Sequence, residues 1–292
     1  MKNILWGIAA AIILAACVQA KQEPITTPGD RTAIQAAIAR GEATVVFVGD
    51  SITAGADVPY RWSWAPLFAA DLQAAHPNVR FKFINLSLPG RSLVQALDDK
   101  YVAQDHEVPA PQGYYMPRGD TSLWPQGSQP GQSWKQAVLA QNPDLVVIAF
   151  GMNDVSGDGE AFHKVSTWLA ATYQQAPSHP SIAMVATILP SRSATDYQGK
   201  ESNIDKAAQA ARDSAAEVHA TLIDANAFQK WMREGKPHYA LGLLGGADAA
   251  LLGGFLIGGN GINHPSIIGH RLIYRQAYQP LLSALKPASE SK

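Results

Sequence analysis

The chain has 292 residues, is 47% hydrophobic and carries a formal charge of -1. That balance excludes intrinsic disorder, which needs low hydrophobicity and high net charge, and gives no electrostatic footprint for nucleic acid. A single cysteine, Cys17, excludes an internal disulfide, a cysteine zinc site and a CxxC redox pair.

The first segment reads as an address. Lys2 precedes an apolar run, Ile4–Ala16, that is short for a bilayer span of roughly 20 residues. Leu14-Ala15-Ala16-Cys17 ends it and resembles the lipobox of bacterial lipoproteins. That resemblance implies a signal peptide over 1–16, a diacylated Cys17 anchoring the protein to a membrane, and an exported location in the cell envelope. Cleavage after Ala20 with simple secretion is the alternative. Residues 17–29, with Pro24 and Pro28, are expected to form a tether.

From residue 30 to 292 a single domain is expected. Arg31–Arg40 is a helical candidate with Asp30 as its cap. Thr44–Val48 is a β-branched run suited to a buried strand and ends at Gly49-Asp50-Ser51. Arg61–His76 fits a helix closed by Pro77, and Arg80–Asn85 a second strand followed by Ser87-Leu88-Pro89-Gly90. Asp144–Phe150, Ser181–Leu189 and Thr221–Asp224 complete five strands. Helical patterns lie at Phe162–Gln175, Asp205–Ala220 and Ser266–Leu285. This alternation predicts an α/β fold, a parallel five-stranded sheet with helices on both faces. Two segments break it, near 97–132 and 241–261, and read as insertions. The first carries aromatics suited to stacking on sugar rings or to packing; the second is rich in Gly and Leu and suits an apolar acyl pocket or a structural loop.

Ligands of such sheets sit beyond the carboxyl ends of the strands. Four short motifs fall there. Ser51 lies at a strand-to-helix turn, where a hydroxyl and its own N–H can face one space; helix capping is the plainer role. Gly90 can offer a backbone N–H or simply form a turn. Asn153, in Gly151-Met152-Asn153-Asp154, can aim an amide at an oxyanion or cap a turn, and Asp154 reads as a structural cap. His264 opens the last helix and can serve Ser51 as general base, or stand as an ordinary surface histidine.

Together, Gly49-Asp50-Ser51-Ile52-Thr53, Gly90, Gly151-Met152-Asn153-Asp154 and His264-Pro265 resemble the four blocks of the SGNH (GDSL-type) hydrolases, in their order. The resemblance implies a three-layer α/β/α flavodoxin-like fold and hydrolysis of carboxylic esters. It makes Ser51 the nucleophile, Ser51, Gly90 and Asn153 the oxyanion hole, and His264 the base. It implies no metal and no cofactor. The substrate would be a small-molecule or glycan ester, with carbohydrate deacetylation placed ahead of lipid or thioester cleavage. A non-catalytic envelope protein binding acylated ligands and an acyltransferase remain alternatives.

The sequence departs from the family in one place. An aspartate usually stands three residues before the histidine; here the position is Gly261. Asn260 is a candidate orienter of the ring, and Asp224 and Asp248 are sequence-distant carboxylates without positional support.

Overall fold

The structure, a computed structural model, describes residues 26–99, 108–109, 123–124, 131–154, 157–191, 197–233 and 262–285. The signal, Cys17, Asn260, Asp248 and most of both insertions lie outside them.

Six strands form the central sheet: β1 (Thr26–Thr27), β2 (Glu42–Gly49), β3 (Arg80–Asn85), β6 (Leu145–Ala149), β7 (Ser181–Ala186) and β8 (Thr221–Asp224). Two short strands, β4 (Val108–Pro109) and β5 (Leu123–Trp124), pair apart from it. The central order is β1-β8-β7-β6-β2-β3. Every central pairing is parallel except that of β1 with β8. The protein has an α/β fold of the flavodoxin-like, three-layer type.

The three layers follow from side-chain alternation. On β2, Val45 and Phe47 join one core cluster while Val46 and Val48 join the other. On β6, Leu145 and Val147 divide from Val146 and Ile148 in the same way. Strands buried on both faces need no polar face, which is why these runs read as continuous apolar stretches. Helices α1 (Thr32–Ala39), α2 (Ser51–Ala54) and α3 (Trp64–Ala75) come early in the chain, followed by α4 (Leu93–Leu97) and α5 (Trp134–Leu139). Then come α6 (Gly159–Gln174), α7 (Glu201–Glu217), α8 (Ala225–Arg233), α9 (Ile267–Ile273) and α10 (Gln279–Leu285). The first core holds Ile34, Trp64, Phe68, Phe228 and Tyr278; the second holds Leu93, Trp134, Leu169 and Ala208.

Four expectations change. The sheet has a sixth strand, because Thr26 and Thr27 pair antiparallel with Ile223 and Leu222. The tether over 17–29 therefore stops short of its expected end: Gly29 N–H donates to Thr221 Oγ1 at 3.1 Å and Asp30 N–H to the His219 carbonyl at 2.7 Å. The helix expected over Arg61–His76 is divided. Tyr60–Trp62 is a 3₁₀ turn, and Ser63 is extended before α3. Ser63 Oγ instead donates to the Tyr60 carbonyl at 2.8 Å, so the polar residue ends one turn rather than continuing a helix. The closing helix is interrupted by a π-helical turn, Tyr274–Tyr278, where Tyr278 stacks on Trp64 with ring centroids 4.1 Å apart. Pro280 then falls at the start of α10, directly after that turn, and removes one N–H donor from the continuous helical stretch.

Candidate active site

The site begins where β2 ends. A side chain on Gly49 would meet the Ala149 carbonyl at 2.4 Å, so only glycine lets β2 and β6 run side by side there. Asp50 follows, 1% exposed, and its Oδ1 accepts the Ile52 N–H at 3.0 Å. This cap fixes the start of α2, and Ser51 is its first residue. The helix lasts one turn, because Gly55 takes a left-handed conformation (φ 78°).

Ser51 and His264 meet. Ser51 Oγ lies 2.7 Å from His264 Nε2, across 213 residues of chain, and both side chains are buried. The histidine is held by its neighbours. Ser191 N–H donates to the Ile262 carbonyl at 2.6 Å, and Asn263 Nδ2 donates to Tyr197 Oη at 2.8 Å. Ser266 Oγ caps α9 by accepting the Gly269 N–H at 3.0 Å.

The other ring nitrogen has a partner that the sequence reading missed. His264 Nδ1 lies 2.5 Å from Asp57 Oδ2, and each side chain is 10% exposed. The expected orienter, Asn260, lies outside the described residues, as does Asp248. Asp224 is committed elsewhere, accepting Arg212 Nε at 2.7 Å and Nη2 at 2.9 Å. Asp57 has a positive φ of 64°. Aspartate is one of the few residues that adopt this conformation readily. Two left-handed residues, Gly55 and Asp57, turn the chain back from α2 so that an acid only six positions past Ser51 reaches the histidine. A short acidic residue among Ala54, Gly55, Ala56 and Val58 was the available signal.

With Nδ1–H donating to Asp57, Nε2 is left as an acceptor for the serine hydroxyl. This is the arrangement that lets serine lose a proton to imidazole and leaves a carboxylate to stabilise the imidazolium.

The expected oxyanion donors come from two other strand ends. Gly90 has φ 71°, a left-handed position, and no atom of the described residues within 4 Å of where a side chain would begin. Asn153 Nδ2 donates to the Arg91 carbonyl at 3.0 Å. An amide carries two N–H groups, so this bond orients Asn153 and leaves one free. Asp154 Oδ1 accepts the Leu93 N–H at 3.0 Å, joining the Asn153 loop to α4, just beyond Gly90. Burial pushes the Asp50 carboxyl up to about 7, and the nearby Asp154 adds to the rise. Burial likewise raises Asp154 to about 6, against the opposing Leu93 and Gly151 N–H groups. Two half-satisfied carboxyls thus brace the loops around the serine.

The sequence pattern of the GDSL-like Lipase/Acylhydrolase family matches residues 116–272, a span that includes Asn153 and His264. The chain belongs to this family. The family is one of lipases and acylhydrolases. The match begins after Ser51 and Asp57. No curated protein matches the sequence.

Solved structures share the fold of this GDSL-like acylhydrolase at low identity. A two-domain esterase active on acetylated mannans aligns at 16% identity and TM-score 0.56, over 90% of this chain and 56% of the other. The chain thus spans little more than half the length of that structure. An acetylxylan esterase from Geobacillus stearothermophilus aligns at 17% identity and TM-score 0.51, over 82% of this chain and 94% of its own. A GDSL-like lipase described as putative, from Parabacteroides merdae, aligns at 16% and 0.55, over 84% and 96%.

Proposed function

We propose that this protein is a serine esterase working through an acyl-Ser51 intermediate, with His264 as general base and acid and Asp57 as the carboxylate behind it. The observation that carries the reading is the continuous Ser51–His264–Asp57 chain, at 2.7 and 2.5 Å.

In the first step His264 Nε2 takes the Ser51 proton as Oγ attacks the ester carbonyl. The tetrahedral oxyanion is met by the backbone N–H groups of Ser51 and Gly90 and by the free Asn153 N–H. One such donor is worth about 3 kcal/mol in the transition state. Collapse breaks the ester C–O bond, and His264 returns the proton to the leaving alcohol. Water, deprotonated by the same imidazole, then releases the acid and regenerates Ser51.

The acyl group we favour is acetyl on a carbohydrate. Two neighbours are described as esterases of acetylated mannan or xylan, and that supports a small acyl group on a glycan. The retired-site alternative rested on the missing acid, and Asp57 at Nδ1 removes its motive. An acyltransferase would share these residues, and adding a sugar acceptor and analysing the products separates it from a hydrolase. We further propose export as a lipoprotein acylated at Cys17; Cys17→Ala should leave the membrane fraction for the soluble one.

The test of the chemistry is Ser51→Ala against 4-nitrophenyl acetate and an acetylated xylan. Both activities should fall to background, with Ser51-dependent labelling by a fluorophosphonate probe lost in parallel. Full activity in Ser51→Ala would overturn the assignment.

A further inference from the structure

Both helpers of Ser51 pass the chain to elements that meet again at the surface. Asp57 leads after three residues into the Tyr60–Trp62 turn, and His264 leads after three residues into α9. There one indole gathers two cations. The guanidinium carbon of Arg61 lies 5.4 Å, and that of Arg271 4.5 Å, from the Trp62 ring centroid. Both arginines are exposed and Trp62 is half-buried.

Three other arginines answer their charge with carboxylates: Arg40 with Asp144, Arg212 with Asp224, and Arg80 with Glu42. Arg61 and Arg271 have no acid partner among the described residues. The two distances put the guanidinium carbons at most about 10 Å apart, so the like charges repel each other and an anion nearby relieves that. Stacking restrains the guanidinium forks, so less entropy is lost when they close on a planar oxyanion. A carboxylate fits such a fork through two parallel N–H···O bonds.

We propose that Arg61, Trp62 and Arg271 form a subsite for a carboxylate of the substrate, so that the ester cleaved is carried by an acidic, uronate-containing glycan. This rests on the esterase reading above. Chain geometry limits the distance: four residues separate Asp57 from Arg61, at most about 14 Å between Cα atoms. A carboxylate on the subsite is therefore within a few sugar units of Ser51. Neutral glycans would lack the contact, while small uncharged esters would be cleaved without using it.

Binding and turnover test this separately. Ser51→Ala protein is titrated calorimetrically with acetylated oligogalacturonate and with the same oligomer after its carboxyls are reduced to alcohols. The acidic oligomer should bind about tenfold more tightly, a gap suited to two exposed charge contacts. Adding Arg61→Gln and Arg271→Gln, which keep polar stems, should erase that gap. In the Ser51 enzyme the same two changes should raise KM for the acidic oligomer and leave turnover of 4-nitrophenyl acetate unchanged. Equal affinity for the two oligomers, or a gap that survives both substitutions, overturns the subsite. Failure of the esterase reading shows instead as loss of 4-nitrophenyl acetate cleavage by the unsubstituted enzyme, which the calorimetric comparison does not depend on.

Discussion

Asp57 combines a chemical task with a conformational cost. Its φ of 64° is one that glycine adopts with ease and most other residues do not. Its carboxylate meets His264 Nδ1. The two roles come apart in Asp57→Gly. Unfolding in urea should show a loss of no more than about 2 kcal/mol, because relief of the left-handed backbone offsets much of the lost His264 contact and of the entropy glycine adds to the unfolded chain. Its kcat should fall by about two to four orders of magnitude, because nothing stabilises the imidazolium. A larger loss of stability alongside that of kcat would assign Asp57 a structural role. Ser51, Gly90, Asn153 and His264 were legible in the sequence because each stands in a short motif with a fixed position after a strand or before a helix. Asp57 was not, because what brings it to the histidine is a pair of left-handed residues. Sequence periodicity carries no trace of them. The acid's usual place at Gly261 also drew attention to the wrong end of the chain.

At the scale of elements, the site depends on turns more than on helices. Gly90 and Gly151 illustrate two different demands. An alanine at Gly90 would meet no atom of the described residues within 4 Å, and the left-handed backbone costs it about 1–2 kcal/mol. Gly151 has φ 126°, and its added carbon would lie 2.7 Å from Thr187 Cγ2. Gly151→Ala should therefore lower the urea midpoint clearly further than Gly90→Ala. The reverse order would mean that the Gly151 loop gives way more freely than its packing suggests. Gly90→Ala should nonetheless lose kcat, because an alanine that relaxes out of the left-handed region turns its N–H away from the oxyanion, while keeping most of its stability. The parallel strands were readable from their apolar, β-branched runs. The break at Ser63, the π-helical turn at Tyr274–Tyr278 and α8 were not, since each depends on tertiary partners such as Trp64 against Tyr278.

Across the whole molecule, buried ionisable groups set opposing trends with pH. His270 is fully buried, and neither ring nitrogen has a hydrogen-bond partner among the described residues. Burial pushes it down to about 3, and His264 nearby acts in the same direction. The unfolded chain takes up a proton on this ring below about 6.5, whereas the folded protein does not. The stability it contributes is complete above that pH and is lost as pH falls toward 3. Asp50 and Asp154 act in the opposite sense: their raised folded values of about 7 and about 6 mean that stability falls as pH rises from about 4 through that window. His270→Leu removes the first trend alone. Its Tm should exceed that of the parent by a wider margin at pH 5 than at pH 7.5. An equal margin at both would show that the ring is protonated or solvated in the folded state.

Ser51 and Asp57 share one short segment, whereas His264 follows the last strand of the sheet. Synthesis runs from the N-terminus, so the chain can lay down β2, both of those residues and the whole sheet before its base exists. A chain still being made, or one shorn of its final helices, then carries an inert serine. The ability to cleave esters appears only when α9 and α10 dock, and esterase activity is therefore a direct reporter of the last step in assembling this molecule.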